Sequence, residues 1–238
     1  MAARIYAGFI ALAIFFTLSG CTRKASTSAP APVIDAAAAV SAREAAARIT
    51  EMKGFGDITI VQSGQRMSGK IDAARRNSGY FNAQLYTSFG AAIAVVLASD
   101  FRGQASVNRQ QFDFHYDDTM EAVPFPAVRH LTYRRFINSL TGSMPDVFWQ
   151  LPETPDTLIH SRRRGTVTAA WFSDTLTVRA QITPKTGHLA TVTFSYDIGG
   201  NKFTMRFGNF KKGAPHEIVV RENNRNYITV NYERIVWE

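Results

Sequence analysis

"GKIDAARRNSGYFNAQLYTSFGAAIAVVLAS", residues 69–99, is the stretch on which the reading of the fold turns. Within it, "SGYFNAQLYTS" and "AAIAVVLAS" place apolar side chains at alternate positions, the period of a strand with one buried face. Between them stands Ser88-Phe89-Gly90. A short break containing Gly and Ser between two alternating runs predicts a turn and an antiparallel hairpin. Gly90 supplies the tight backbone there. Phe89 has two readings: a tip that points away from the sheet, or a core residue that caps it.

The same period continues on both sides. "DITIVQS" (57–63) comes before, and "QASVNRQQFDFHYDD" (104–118) after, with Phe112, Phe114 and Tyr116 alternating with Asp113 and His115. Strands resume at residue 157 in "TLIHSRRRGTVTAAWFSDTLTVRAQITP" and in "HLATVTFSYDIGGNKFTMRFGNF", which turns at Gly199-Gly200-Asn201. The chain closes with "HEIVVRENNRNYITVNYERIVWE". Two segments have helical spacing instead. One runs from an Asp35 N-cap to about Lys53, is rich in alanine, and stops at Gly54. Small side chains let such a helix lie close against a sheet or serve as a loosely held lid. The other is "AVRHLTYRRFINSLTG" (127–142), with Val128, Leu131, Ile137 and Leu140 on one side. The pattern predicts an α+β, mainly β fold. It is a curved antiparallel sheet of about eleven strands, an open half-barrel whose apolar face is covered by the two helices.

The first residues read differently. Arg4 is followed by apolar sequence from Ile5 to Leu18, then by Leu18-Ser19-Gly20-Cys21. A positive start, a short apolar core and a small-residue exit describe a secretory signal peptide over residues 1–20. The four-residue exit resembles a bacterial lipobox, which makes Cys21 the site of acylation. Cys21 is the only cysteine among 238 residues. Once acylated it leaves the folded part without a disulfide, a cysteine zinc site or a thiol nucleophile. Two or three acyl chains, at about 0.8 kcal/mol per buried CH₂, anchor a protein where one does not. Residues 21–34 are a Ser/Ala/Pro tether, and residues 35–238 form one domain. Thr22 stands where enterobacterial lipoproteins kept in the inner membrane have Asp, which favours the outer membrane.

No motif carries chemistry. His115, His130, His160, His188 and His216 are dispersed without metal-ligand spacing, and no nucleophile elbow, phosphate loop or dinucleotide fingerprint occurs. Asp117-Asp118 is a tight carboxylate pair at a strand end, where a solvated turn is the simpler reading. The expectation is a non-enzyme without cofactor or metal. Net charge is +8, with only Arg162-Arg163-Arg164 as a tight run, read as a solvated hairpin end. That sign suits lipid headgroups or an acidic protein; nucleic acid fits the charge but not an exported lipoprotein. Abundant instead are 17 Phe, 8 Tyr and 3 Trp. Alternation turns Leu85, Ile93, Val95, Leu97, Phe112, Phe114, Trp171, Val178, Phe194, Phe203, Met205 and Phe207 inward. A filled core and a lined cavity require the same apolar face.

Three stretches resemble the LolA/LolB superfamily, and within it the LolB-type outer-membrane lipoprotein receptors. They are residues 69–99 with the Ser88-Phe89-Gly90 turn, "FINSLTGSMP" (136–145), and residues 214–238, where Pro215 opens a strand and Trp237 closes the chain. The "WFSDTLTVRAQI" region and the loop from Pro145 to Pro155 depart from the pattern. The resemblance implies an outer-membrane-anchored monomer, facing the periplasm, that receives lipoproteins from a LolA-like carrier. It implies an acyl-chain cavity lined by Leu85, Ile93, Val95, Phe112, Phe114, Ile137, Leu140, Trp171, Val178, Phe194, Phe203 and Met205. It makes Phe89 the residue that enters the membrane. A carrier of another lipid or glycolipid, and a non-catalytic structural envelope lipoprotein, stand as alternatives.

Overall fold

Strand β1, Met52–Gln62, sets the pattern of the molecule: Met52, Gly54, Gly56 and Ile58 are buried, and Lys53, Phe55 and Asp57 are exposed. Each buried residue lies on the face that the rest of the chain covers. The structure is a computed structural model that describes residues 51–76, 80–99, 102–107, 109–122, 128–129, 131–142, 146–148, 150–152, 154–161, 163–183, 186, 188–198, 200–211, 214–222 and 226–237. All of them belong to one compact unit, Ile34–Glu238.

After β1 come β2 (Gln65–Arg75), β3 (Phe81–Thr87), β4 (Ala92–Ser99), β5 (Arg102–Val107) and β6 (Gln110–His115). A crossover holding helix α1 (Tyr133–Leu140) leads to β7 (Thr157–Ser161), β8 (Thr166–Phe172), β9 (Leu176–Ile182), β10 (Leu189–Ile198), β11 (Asn201–Lys211), β12 (Ala214–Glu222) and β13 (Asn226–Trp237). The thirteen described strands make one antiparallel sheet in the order β6-β5-β4-β3-β2-β1-β13-β12-β11-β10-β9-β8-β7. The first and last strands therefore meet at its middle, from Met52 opposite Trp237 to Val61 opposite Tyr227. The crossover must travel from one edge to the other, and it does so over one face.

Thirteen strands replace the expected eleven. The run 104–118 folds back between Val107 and Gln110 into β5 and β6, its inward side chains passing from Ala105 and Val107 to Phe112 and Phe114. Strand β2 is hard to read because Gly69 interrupts the apolar series Met67, Ile71, Ala73. Met52 and Lys53, expected to end a helix, begin β1 and pair with β2 and β13 on either side. Glu51 just before them lies in no helix, and residues 35–50 of the expected N-terminal helix lie outside the described residues, as do Cys21 and the tether.

The central helix is shorter than its apolar spacing suggests. Val128 and Leu131 are buried but precede it, with the Leu131 amide donating to the Val128 carbonyl at 2.8 Å. Thr132 caps α1: its hydroxyl oxygen accepts from the Arg135 amide at 3.3 Å. Gly142, at φ +70°, ends it. Segment 116–120 holds the entry in place, the Arg134 amide donating to the Tyr116 carbonyl at 2.8 Å. From there the crossover fills the covered face. Tyr133 stacks on Phe114 at 3.9 Å, Ser139 Oγ lies 3.8 Å from Met205 Sδ, and Phe148 meets Phe194 edge-on at 5.9 Å. Phe194, Phe203, Met205 and Phe207 are fully buried there. Burying each such side chain stabilises the fold by roughly 1.5–3 kcal/mol.

Candidate functional site

The register places the β1–β2, β3–β4 and β5–β6 turns side by side at one end of the sheet. The middle one protrudes as a three-residue loop, Ser88-Phe89-Gly90. The Thr87 amide donates to the Ala91 carbonyl at 2.8 Å, the Gly90 amide to the Thr87 carbonyl at 2.9 Å, and the Ala91 amide to Thr87 Oγ1 at 3.1 Å. Gly90 has φ +85°, a conformation that favours glycine. These bonds fix a loop from which Phe89 projects, 97% exposed. Of its two sequence readings, the exposed tip is the observed one.

Just below the loop the β3–β4 register shifts: Leu85 faces Ala94, whereas Tyr86 faces Ala92. The shift leaves Ile93 as an extra residue, a bulge that re-aims its side chain. Leu85, Ile93 and Ala94 then line a pocket with Ile58, Ile60, Met67, Ser68, Gly69 and Val107. All nine residues come from β1–β5, and none carries a titratable side chain. Gly69 is tightly constrained, because a Cβ there would stand 2.0 Å from the Tyr86 carbonyl oxygen. The cavity measures about 100 Å³. Liquid water occupies about 30 Å³ per molecule and drug-sized sites about 300–1,000 Å³, so this space suits the end of an alkyl chain.

The bulge also explains a correction. Past it, Ala94, Val96 and Ala98 lie opposite Leu85, Ala83 and Phe81 and turn to the core. Val95 and Leu97, expected inward, alternate to the outer face, Val95 between Gln84 and Ser106 and Leu97 45% exposed. A one-residue insertion moves every following side chain to the other face. The other expected lining residues lie away from the pocket. Phe112 is half-buried on β6, on the same face as Phe114. Phe114, Ile137, Leu140, Trp171, Val178, Phe194, Phe203 and Met205 are packed core, under or within the crossover. Trp171 Nε1 donates to the Pro152 carbonyl at 3.0 Å, tying β8 to the crossover. Sequence reasoning passed over the other seven lining residues, Ile58, Ile60, Met67, Ser68, Gly69, Ala94 and Val107. Ile58 and Ile60 alternate plainly in "DITIVQ", and that signal was sufficient to find them. The Asp117-Asp118 pair serves the local fold: Asp117 binds Arg134 through two hydrogen bonds at 2.9 and 3.1 Å, and Asp118 Oδ2 accepts from the His115 amide at 2.7 Å.

A sheet whose two ends meet at its centre, with a crossover over one face, has counterparts among solved structures. A LolA superfamily protein from Nitrosomonas europaea superposes with a TM-score of 0.50 at 9% identity, over 84% of this chain and 93% of that one. The likeness is one of fold. A domain from Vibrio parahaemolyticus assigned to outer membrane lipoprotein sorting gives 0.48 at 9% identity, over 84% and 91% of the two chains. A DUF1329 family protein from Desulfovibrio piger gives 0.46 at 7% identity, over 85% and 91%. No family model and no curated protein matches the sequence. In this sheet the pocket and the Phe89 loop occupy the same end, Leu85 of the wall lying four residues before Phe89.

Proposed function

We propose that the protein is an outer-membrane lipoprotein, anchored through acylated Cys21 and facing the periplasm, that receives acyl chains in the β1–β5 pocket and delivers lipoprotein cargo to the membrane. The observation that carries this reading is the placement of an apolar pocket beneath an exposed Phe. Leu85 in the wall and Phe89 at the tip are separated by about 13 Å of strand at most. An acyl end leaving the pocket is thus already beside the residue that enters the bilayer. Each methylene buried contributes about 0.8 kcal/mol, so release has to be coupled to a contact made only at the membrane. The transfer is non-covalent, and a LolA-like periplasmic carrier supplies the cargo.

Mass spectrometry of the purified protein for co-purified lipid, with titration of an apolar fluorescent probe, tests the reading. Leu85→Glu or Ile93→Glu should abolish probe binding by placing a charge in the wall. A protein that carries no lipid and binds no probe would instead be a structural envelope lipoprotein. The filled half of the covered face, around Phe194 and Phe207, favours that second reading.

A further inference from the structure

We infer that the turn end of β1–β6 docks on a bilayer with anionic headgroups, Arg66 and Arg109 contacting them on either side of Phe89. This rests on the membrane reading of Phe89 and adds the lipid charge that the protein selects. The evidence is the distribution of charge at that end. Arg66 stands on β2 opposite Val61, next to the β1–β2 turn, and is exposed. Arg109 is exposed at the β5–β6 turn with φ +68°. The hairpins alternate along the sheet, so each Arg lies about two strand spacings, roughly 10 Å, from the Phe89 loop. Over the three turns and the strand ends beside them, residues 59–68, 85–94 and 105–112, the sequence contains no carboxylate. At the same end of the sheet's other half, Asp156, Asp174, Asp197 and Glu222 are interspersed with Lys202 and Arg221.

An exposed aromatic flanked by two arginines and free of carboxylates matches an anionic membrane. The ring enters the acyl boundary while the guanidiniums remain with the phosphates, within the roughly 8–10 Å over which surface potential acts. Met67, 39% exposed, widens the apolar centre on the β1–β2 side. Charge complementarity thus selects one occupant for this edge.

The test uses the chain from Thr22 to Glu238, which keeps the whole compact unit and every described residue but has no acyl anchor. Its sedimentation is compared on vesicles of phosphatidylcholine alone and of phosphatidylcholine with phosphatidylglycerol. Arg66→Gln and Arg109→Gln should each weaken binding to the anionic vesicles about fivefold and together about twenty-five-fold, with the melting temperature unchanged. Phe89→Glu should lose binding to both kinds. Equal binding to the two kinds, or unchanged binding by the double variant, overturns the inference. So does loss of binding in Arg163→Gln/Arg164→Gln, which lie at the opposite end, with the first double variant intact. Probe titration on the same samples separates the two claims. A protein that binds the probe but ignores lipid charge retains the proposed function and loses this inference; one that prefers anionic vesicles but binds no probe does the reverse.

Discussion

The phenol of Tyr232, on β13, donates a hydrogen bond to the carbonyl oxygen of Leu140, the last residue of α1, at 2.5 Å. Ninety-two residues separate them, and the bond fastens the crossover helix to the middle of the sheet. Burial pushes the Tyr232 pKa far up, so the phenol stays protonated and the bond holds at every working pH. Tyr232→Phe leaves a helix-terminal carbonyl buried without this donor. The expected loss is about 1–3 kcal/mol, read as a lower melting temperature that is independent of pH between neutral and mildly alkaline buffer.

Two glycines next to the pocket separate steric from conformational strain. At Gly69 a Cβ would stand 2.0 Å from the Tyr86 carbonyl oxygen, so Gly69→Ala has to push β2 and β3 apart. Overpacking of this kind costs about 1–3 kcal/mol, and here it should also deform the pocket wall. Gly90→Ala meets nothing within 4 Å and suffers only from φ +85°, a cost of about 1–2 kcal/mol. Both variants should melt lower, but only Gly69→Ala should alter probe affinity. Equal effects of the two on the probe would show that the wall does not depend on Gly69.

Most of the sheet was legible because its strands alternate cleanly, as β10 and β11 do from Val192 to Phe207. Legibility failed where backbone geometry, rather than side-chain pattern, decides. The bulge at Ile93 reversed the faces of Val95 and Leu97, and no residue type in "AAIAVV" announces it. The turn between Val107 and Gln110 shows in the sequence only as a change of phase, from Ala105 and Val107 inward to Phe112 and Phe114 inward, because a two-residue hairpin puts residues three apart on one face. The site was half legible for a related reason. An apolar inward face marks Phe194 and Leu85 alike, and only the path of the crossover decides that the first is packed over while the second lines a pocket.

The Asp117–Arg134 pair gives a pH dependence of definite sign. Its two hydrogen bonds hold the Asp117 pKa below the ordinary value of 3.8. A depressed carboxylate pKa stabilises the fold above the unfolded value, and that contribution is lost as pH falls through the lower, folded one. Wild type should therefore melt above Asp117→Asn at neutral pH, and the gap should close in acid below the ordinary value. The pair is exposed, so added salt should also narrow the gap. A difference that persists unchanged in strong acid would assign the effect to the neutral hydrogen bond alone.

Phe89→Glu tests whether the loop acts at a membrane. A Phe in the core would lose several kcal/mol on replacement by a charge. Phe89 is 97% exposed on a loop that Thr87 and Gly90 hold through backbone hydrogen bonds, and these do not depend on the ring. The substitution should therefore change stability by no more than about 0.5 kcal/mol, the usual range for a surface site. Probe binding should also persist, because Phe89 is not part of the pocket wall. What should disappear is the gain from placing the ring in the acyl boundary, about 1.5–3 kcal/mol for a side chain of this size. Transfer of acylated cargo to liposomes should then fall about tenfold or more while cargo binding stays. A variant that melts with wild type and still transfers cargo at the wild-type rate would remove the membrane role from this residue.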